Sequence, residues 1–572
     1  MPRSRLSLVL VVLFFGTPAL QVASAAAAED AGAYLAARVA VQDGDYRAAS
    51  EWFDRALVAD TQNRKLLEGL VSSRMGLGDV DLAEDAAKKL VALGGKSQIS
   101  DFALLAAEAG REDYDAILTA QADGRRMSDL LDRLVAGWAE IGAGRMSDAL
   151  QEFDAIAEKP GMEAFGLYHK ALALGLAGDF EGADAILSGK EAGPIQLTKT
   201  GIFAHAQVLS QLERNADALA LLDSRLGKEP DPVADALRAR LAAGEPVPFD
   251  SIRSPKDGLA EVFFTMANAL SSEAALGYTY LHARIAMHLN PQHADAVLLA
   301  ASLLESQGQH DFAAETYGLI PKDDPSYPIA EIGRADSMFR ADRKDDAVAA
   351  LKALAETHGG FFIVQSSLGD AMRRTERFAE CTTAYDAAQA LVPAIEERHW
   401  VLFYGRAICY ERQSMWDPAE KDFRKALELN PDQPQVLNYL GYSFVDRGVN
   451  LEEALGMIQR AVEAEPESGY IVDSLAWALF RMGRYEEALA PMERASLLEP
   501  VDPIVTDHLG DVYWAVGRVR EAEFQWHRAL SLDPTEKDAA RIRKKLEIGL
   551  DAVMAEEGTP PLNADDAVVV DN

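Results

Sequence analysis

The chain has few cysteines, few basic residues and, after its first residues, no long apolar run. Its 572 residues include two cysteines, and 56 Lys and Arg stand against 91 Asp and Glu, which gives a net charge of −35. Such a charge disfavours nucleic acid and anionic lipid surfaces as partners. A solvated acidic surface accounts for most of it, although a basic partner also fits. Runs of β-branched residues are rare too, and we therefore predict no strands.

The sequence also lacks the motifs that carry most catalytic and cofactor chemistry. It has no phosphate-binding G-x-x-x-x-G-K-[ST] loop and no G-x-G-x-x-G, H-E-x-x-H, C-x-x-C or G-x-S-x-G pattern. Ser474, His508 and Asp511 are the residue types of a nucleophilic relay, but amides in the middle of a helix cannot form an oxyanion hole. We therefore predict that the protein is not an enzyme and holds no cofactor or metal ion.

The first 25 residues have the features of a signal peptide. Arg3 and Arg5 precede an apolar run over residues 6–15, and Ala23–Ala25 supply a small-residue cleavage site. The run is too short to span a bilayer, which needs about 20 apolar residues. No cysteine lies near the cleavage site, so we expect no direct lipid anchor. The sequence predicts a periplasmic protein that is soluble or peripherally associated with the envelope; an uncleaved anchor is the alternative.

What the chain does have is an internal repeat. Alanine, glycine and proline return at steps of 34 or 35 residues, at Ala454, Ala488 and Ala522, at Ala461, Ala495 and Ala529, at Gly448, Gly483 and Gly517, and at Pro431, Pro466, Pro500 and Pro534. Glycine ends a first helix, proline ends a second, and the small residues lie where the two cross. One hairpin cannot bury its apolar face alone, so successive hairpins must stack. We predict an all-α solenoid of roughly 12–14 helix hairpins.

The regularity of the repeat divides the chain into six segments. We predict a signal peptide (1–25), a degenerate repeat array (26–243), a Pro/Gly joint (244–258), a regular array (259–534), a helix that caps the open end (535–556) and a disordered acidic tail (557–572). The joint is placed where Pro246 and Pro248 interrupt the helical pattern.

Residues 400–534 resemble the tetratricopeptide repeat (TPR). The resemblance is carried by Leu440, Gly441 and Phe444, by Leu509, Gly510 and Tyr513, and by Phe423 and Trp526. It implies that the first helices line a concave groove, in which aromatic rings beside carboxylates would suit an extended peptide with apolar and basic side chains. The groove residues that the resemblance implies are Asn438, Tyr439, Tyr442, Asp473, Ser474, Trp477, Phe480, Asp507, His508, Asp511 and Trp514.

A closer resemblance concerns a proteobacterial family of long exported TPR proteins. It rests on Leu437–Tyr442, Tyr470–Trp477 and Asp507–Trp514. That family includes a lipoprotein adaptor of a carboxyl-terminal processing protease, although this chain lacks the lipid-bearing cysteine. The resemblance implies a periplasmic scaffold or adaptor whose partner is a processing protease or cell-wall hydrolase. A structural subunit of an envelope complex, or an enzyme with an unrecognised site in the N-terminal array, are the alternatives.

The two cysteines, Cys381 and Cys409, fall on successive hairpins. Cys381 takes a small-residue position of a second helix, and Cys409 lies on the first helix that follows. The sequence leaves open a disulfide between them or two buried free thiols.

Overall fold

The computed structural model describes residues 31–190, 193, 195–227, 231–271 and 274–558. The predicted signal peptide and all but two residues of the predicted tail lie outside the described residues. Every regular element in these ranges is helical, without a strand. The all-α prediction is therefore confirmed.

The helices follow one another as hairpins, each made of a first and a second helix. Six hairpins precede α13, eight follow it, and α30 and α31 come last. After α1 (residues 31–42) the bounds are α2 Tyr46–Leu57, α3 Arg64–Leu77, α4 Val80–Ala92, α5 Gln98–Gly110, α6 Tyr114–Ala122, α7 Asp129–Gly142, α8 Met146–Ala157, α9 Glu163–Ala177, α10 Phe180–Leu187, α11 Lys199–Gln211, α12 Asn215–Leu226, α13 Pro232–Ala242, α14 Pro255–Leu270, α15 Leu276–Leu289, α16 Ala294–Ser306, α17 His310–Tyr317, α18 Tyr327–Arg340, α19 Lys344–His358, α20 Phe362–Arg374, α21 Phe378–Ala390, the 3-10 helix Glu397–His399, α22 Trp400–Arg412, α23 Trp416–Leu429, α24 Pro434–Arg447, α25 Leu451–Ala464, α26 Gly469–Arg481, α27 Tyr485–Leu498, α28 Pro503–Ala515, α29 Val519–Leu530, α30 Glu536–Ile548 and α31 Leu550–Glu556.

The chain forms two compact units, Met1–His358 and Gly359–Asn572. The segment 244–258, predicted as a joint between arrays, lies inside the first unit, where residues 245–254 contain no helix. This segment does not separate two compact units, because the helices that follow it, α14 and α15, pack on α3, α5, α7 and α9. One hydrophobic core runs from Ala33 to Ala330 as a result. The division into a degenerate and a regular array stays a prediction about the repeats.

In the first unit, α14 and α15 cover the side of the array that the first helices form. Gly258 lets α14 approach α7 closely, since a Cβ atom at that position would lie 2.1 Å from the ring of Trp138. The hydroxyl of Tyr280, on α15, donates to the carbonyl of Gly76 at 2.9 Å, and Arg284 donates to the carbonyl of Leu77 at 2.7 Å. These bonds satisfy orphan carbonyls at the end of α3.

Buried polar groups fix α14 in this position. Glu261 accepts a hydrogen bond from the Tyr168 hydroxyl at 2.8 Å, and its other oxygen lies 3.1 Å from Nε2 of His293. The carboxylate therefore joins α9 and α14 to the start of α16. Beside it, the indole of Trp138 donates to His169 at 3.1 Å, and burial lowers the pKa of His169 to about 4. The imidazole is therefore neutral and able to accept.

In the second unit the repeat packs as the sequence predicts. Ala476, Ala488 and Ala495 are fully buried where helices cross, and so are the rings of Phe423 and Trp526. Small residues at the crossings let the helix backbones approach, while the large rings fill the space between successive hairpins.

An arginine ladder, consisting of Arg460, Arg494 and Arg528, links successive hairpins of the second unit. Each guanidinium donates to the carbonyl of the proline that ends the preceding hairpin, at 2.7 Å for Arg460 to Pro431 and 2.9 Å for Arg494 to Pro466; Arg528 donates to Pro500. The ladder repeats at 34-residue steps. Each hairpin thus binds the end of its neighbour through a charge-assisted hydrogen bond.

The end of the second unit differs in one respect from the prediction. The capping helix predicted over 535–556 is two helices, α30 and α31, which meet at Gly549 with φ +81°. A Cβ atom at Gly549 would lie 2.9 Å from the ring of Trp514. Glycine is favoured here for its backbone conformation and for this close approach.

Candidate functional site

The candidate site lies on the first-helix face of the second unit, formed by α20, α22, α24, α26 and α28. Residues at i, i+3 and i+7 share one side of a helix, and on α26 these are Tyr470, Asp473 and Trp477. α20 packs on α22, and α26 packs on both α24 and α28. No further helix described in this unit lies across α20, α22, α24 and α26 on that side. At the end of the unit, α30 and α31 cover α28.

A stack of three rings joins α26 to α28. The ring of Trp477 lies 4.9 Å from that of Phe480 and 4.0 Å from that of His508, nearly parallel to both. His508 Nδ1 lies 3.0 Å from an oxygen of Asp473. Burial alone would lower the pKa of His508, but the Asp473 carboxylate, with Asp507 and Asp511 nearby, outweighs burial and raises that pKa above 6.5. The carboxylate of Asp473 therefore favours the charged form of the imidazole, which lies against the indole of Trp477.

Asp507 and Asp511 on α28 share a buried lysine. Lys545 of α30, which is fully buried, donates to both oxygens of Asp507 at 2.8 Å and to Asp511 at 2.5 Å. The indole of Trp526 donates to Asp511 at 2.9 Å. Burial and the adjacent Asp511 raise the pKa of Asp507 against the opposing effect of Lys545. The protein thus neutralises these carboxylates itself, and they are not free to bind a partner's basic side chains.

Ser474, His508 and Asp511 have the side chains of a nucleophilic relay but are not arranged as one. The hydroxyl of Ser474 donates to the Tyr470 carbonyl of its own helix at 2.9 Å. Nδ1 of His508 faces Asp473 rather than Asp511. The indole of Trp514 donates to Asp551 of α31 at 2.7 Å, so this ring belongs to the end of the solenoid.

On α24 the predicted residues pack against their neighbours. Tyr439 stacks on Phe423, with ring centroids 5.2 Å apart, and its hydroxyl donates to Glu411 at 3.3 Å. Burial, with Asp473 and Asp446 nearby, raises the pKa of Tyr442 to about 12. The phenol therefore stays neutral. The carbonyl oxygen of the Asn438 side chain is buried without a partner in the described part of the chain.

None of the eleven predicted groove residues is exposed. Asp473, Ser474, Phe480, Asp507, His508 and Asp511 are buried, whereas Asn438, Tyr439, Tyr442, Trp477 and Trp514 are half-buried. The expectation of open aromatic rings beside free carboxylates is therefore wrong for Phe480, Asp507 and Asp511. That these residues bind a peptide stays a prediction.

The exposed residues of the same helix faces lie one turn earlier. Each is the second residue of its helix, and together they form what we call the outer row, consisting of Ile363 (45 % exposed), Val401 (45 %), Gln435, Tyr470 (57 %) and Ile504 (37 %). The sequence analysis did not name these residues. Gln435, Tyr470 and Ile504 stand three residues before the predicted Asn438, Asp473 and Asp507, and Ile363 and Val401 occupy the matching positions of α20 and α22. This three-residue offset on the same helix face could have identified them from the sequence.

The two cysteines are joined. Cys381 of α21 and Cys409 of α22 form a disulfide, with their Cα atoms 6.3 Å apart, and both are fully buried. Of the two possibilities left open by the sequence, the structure has the cross-link between successive hairpins.

The described residues contain no group of three or more His, Cys, Asp or Glu side chains placed to hold a metal ion. Within the same ranges, no helix combines the length and the apolar character needed to cross a membrane.

Parts of the chain match tetratricopeptide repeat models. One model matches residues 400–433, and a second matches residues 34–98, 440–503 and 474–537. The chain therefore contains tetratricopeptide repeats, and its helix-hairpin fold is that of a protein-interaction scaffold. TPR proteins generally bind protein partners, and they are generally not catalysts.

Individual similarities are more distant. The chain is 28 % identical over 185 residues to the TPR repeat-containing protein PA4667 of Pseudomonas aeruginosa, a match that covers 32 % of this chain and 30 % of that relative. Among solved structures, the APC/C hetero-tetramer Cut9–Hcn1 aligns at 14 % identity over 91 % of this chain and 96 % of that one, with a TM-score of 0.39. A TPR protein from Parabacteroides merdae aligns at 16 % identity over 45 % and 98 %, with a TM-score of 0.37.

Proposed function

We propose that this protein is a periplasmic scaffold or adaptor that binds a protein partner through the first-helix face of its second unit. The observation that carries the proposal is the exposed outer row, which lies above residues whose charges are already paired within the protein. Exposed apolar side chains aligned on consecutive helices are typical of interaction sites. The paired residues beneath them keep the helices in one arrangement, which lowers the cost of binding.

Export to the periplasm rests on the first 25 residues. Their charge, length and small-residue site are those of a signal peptide. The sequence resemblance to exported TPR adaptors supports a processing protease or a cell-wall hydrolase as the partner. Without a lipid-bearing cysteine, the protein would meet that partner in solution or by association with other envelope proteins.

Site-specific cross-linking tests this function. A photo-reactive phenylalanine analogue replaces Tyr470 in the outer row, and the matched control replaces Phe524, which is 66 % exposed on the second helix α29. After irradiation in cells, we expect an envelope protein cross-linked at position 470 and absent at position 524. Equal cross-linking at both positions, or none at 470 in cells that express the protein, would contradict the proposed surface.

A further inference from the structure

The outer row has a spacing that selects the conformation of a ligand. The first helices α26 and α28 pack directly, as the 4.0 Å stack of Trp477 on His508 shows. Axes of packed helices lie about 8–10 Å apart, and we infer that interval between neighbouring members of the row. A polyproline II segment has three residues per turn, so every third side chain points to the same side, about 9.3 Å after the last. In a β-strand, residues three apart point to opposite faces. The interval therefore suits a ligand in the polyproline II conformation better than one in a β-strand.

The composition of the row also suits such a segment. Tyr470 is an exposed ring in the row, and the half-buried rings of Trp477 and Tyr442 lie seven residues after the row members of α26 and α24. Proline-rich segments dock in grooves lined by aromatic rings, because their extended conformation is largely formed before binding. The remaining members are three aliphatic side chains and Gln435.

Acidic side chains accompany the row. Glu465, Glu499 and Asp533 each precede the proline that ends a hairpin. Gln435 donates to Glu465 at 2.7 Å, and the Glu499 carboxylate, with a smaller effect of burial, raises the pKa of the Tyr470 hydroxyl. These two acids therefore lie beside the outer row.

The same three acids are not part of any ion pair in the described part of the chain. Within the described residues, no Lys or Arg lies at ion-pair distance from Glu465, Glu499 or Asp533, whereas Asp432 and Glu467 pair with the arginine ladder. A ligand with basic side chains would supply the missing charge.

We propose that the outer row binds an extended, proline-rich segment of a protein partner, with an apolar residue at every third position and Lys or Arg between them. This inference rests on the proposed function and names the chemistry of the partner. The five helices of the row correspond to a segment of about 13 residues at 3.1 Å per residue.

Fluorescence anisotropy with the full chain tests the inference. The probe is a labelled synthetic peptide of five Leu-Pro-Lys repeats. A peptide of five Leu-Pro-Glu repeats tests charge, and a helical peptide with Leu at seven-residue intervals and the same number of Lys tests conformation. We expect the first peptide to bind at least about tenfold more tightly than either control, with affinity falling as salt rises. Equal binding of the Glu peptide, tighter binding of the helical peptide or no binding of the first would overturn the inference.

Two double variants locate the binding. Tyr470→Ser with Ile504→Ser should weaken the Leu-Pro-Lys peptide about tenfold, because aromatic and aliphatic anchors carry much of the energy of such contacts. Leu497→Ser with Phe524→Ser removes two apolar side chains that are 81 % and 66 % exposed on second helices, and should leave affinity unchanged. An equal effect of the two pairs would place the peptide elsewhere. A cross-link at position 470 without peptide binding would reject the ligand chemistry and keep the proposed function.

Discussion

The first helices of the two units form the same kind of face, but this face is covered by other helices in the first unit and exposed in the second. In the first unit α14 and α15 lie on that face, held by the approach of Gly258 to Trp138 and by the bonds of Tyr280 and Glu261. In the second unit the corresponding face carries the outer row. The same hairpin architecture therefore gives a filled core in one unit and an exposed surface in the other.

A repeat therefore does not define a binding surface by itself. Two things decide the outcome, namely whether another part of the chain covers the face and whether its polar residues find partners inside the protein. In the second unit Lys545 and Asp473 supply such partners at the inner residues, and the exposed side chains of this face are those of the outermost turn.

The largest expected effect comes from removing the buried lysine. Lys545→Met leaves the carboxylates of Asp507 and Asp511 buried without their cation, and breaking a buried ion pair in this way costs about 3–5 kcal/mol. We expect the urea midpoint of the second unit to fall, as monitored by tryptophan fluorescence.

The control is the preceding residue. Lys544→Met removes an exposed lysine that pairs with Glu556, and pairs of this kind contribute about 0–1 kcal/mol. Equal stability of the two variants would show that the acids on α28 do not depend on Lys545.

A smaller effect is expected in the first unit from the glycine between α14 and α7. Gly258→Ala places a methyl group against Trp138, and overpacking of this kind costs about 1–3 kcal/mol. Gly456→Ala on α25 is the matched control, because nothing lies within 4 Å of a Cβ atom there; it should stabilise its helix by about 0.5–1 kcal/mol. Hydrogen exchange should show faster exchange on α14 only in the first variant. Unchanged exchange there would mean that the close approach does not hold the cover in place.

The smallest effect concerns pH. The folded-state pKa of His508 is raised by Asp473 against burial, with Asp507 and Asp511 also nearby and Lys545 and Arg541 opposite them. The contribution of the ion pair is therefore complete below the unfolded pKa of about 6.5 and is lost as pH rises through the folded pKa.

Urea unfolding at pH 6 and pH 9 measures this dependence. The free energy of unfolding of His508→Gln should fall less between pH 6 and pH 9 than that of the unchanged protein. His527→Gln changes an exposed residue of α29 and should show the same fall as the unchanged protein. Identical pH dependence in all three would remove His508 as its source.

The fold could be predicted because its signal is local and repeated. Alanine at the crossings, glycine at the end of first helices and proline after second helices act within about one hairpin, so each period can be recognised by itself. The resemblance also names residues on α24, α26 and α28, and their role in binding stays a prediction.

The exposure of the candidate site could not be predicted in the same way. From the sequence, Asp507 would be taken for a free acid on α28. The lysine that pairs with its carboxylate lies 38 residues later, on α30. Likewise, nothing in α3 or α7 shows that α14 and α15 will return to cover them. Burial of this kind depends on contacts between distant segments, which composition and period do not reveal.

The disulfide sets how far the second unit can be stretched. A chain pulled from both ends normally releases its full contour length as each hairpin opens. Cys381 and Cys409 are 28 residues apart, and at about 3.5 Å per extended residue the bond withholds about 100 Å of that length. A single-molecule extension trace would thus be shorter by that amount with the disulfide intact than after its reduction.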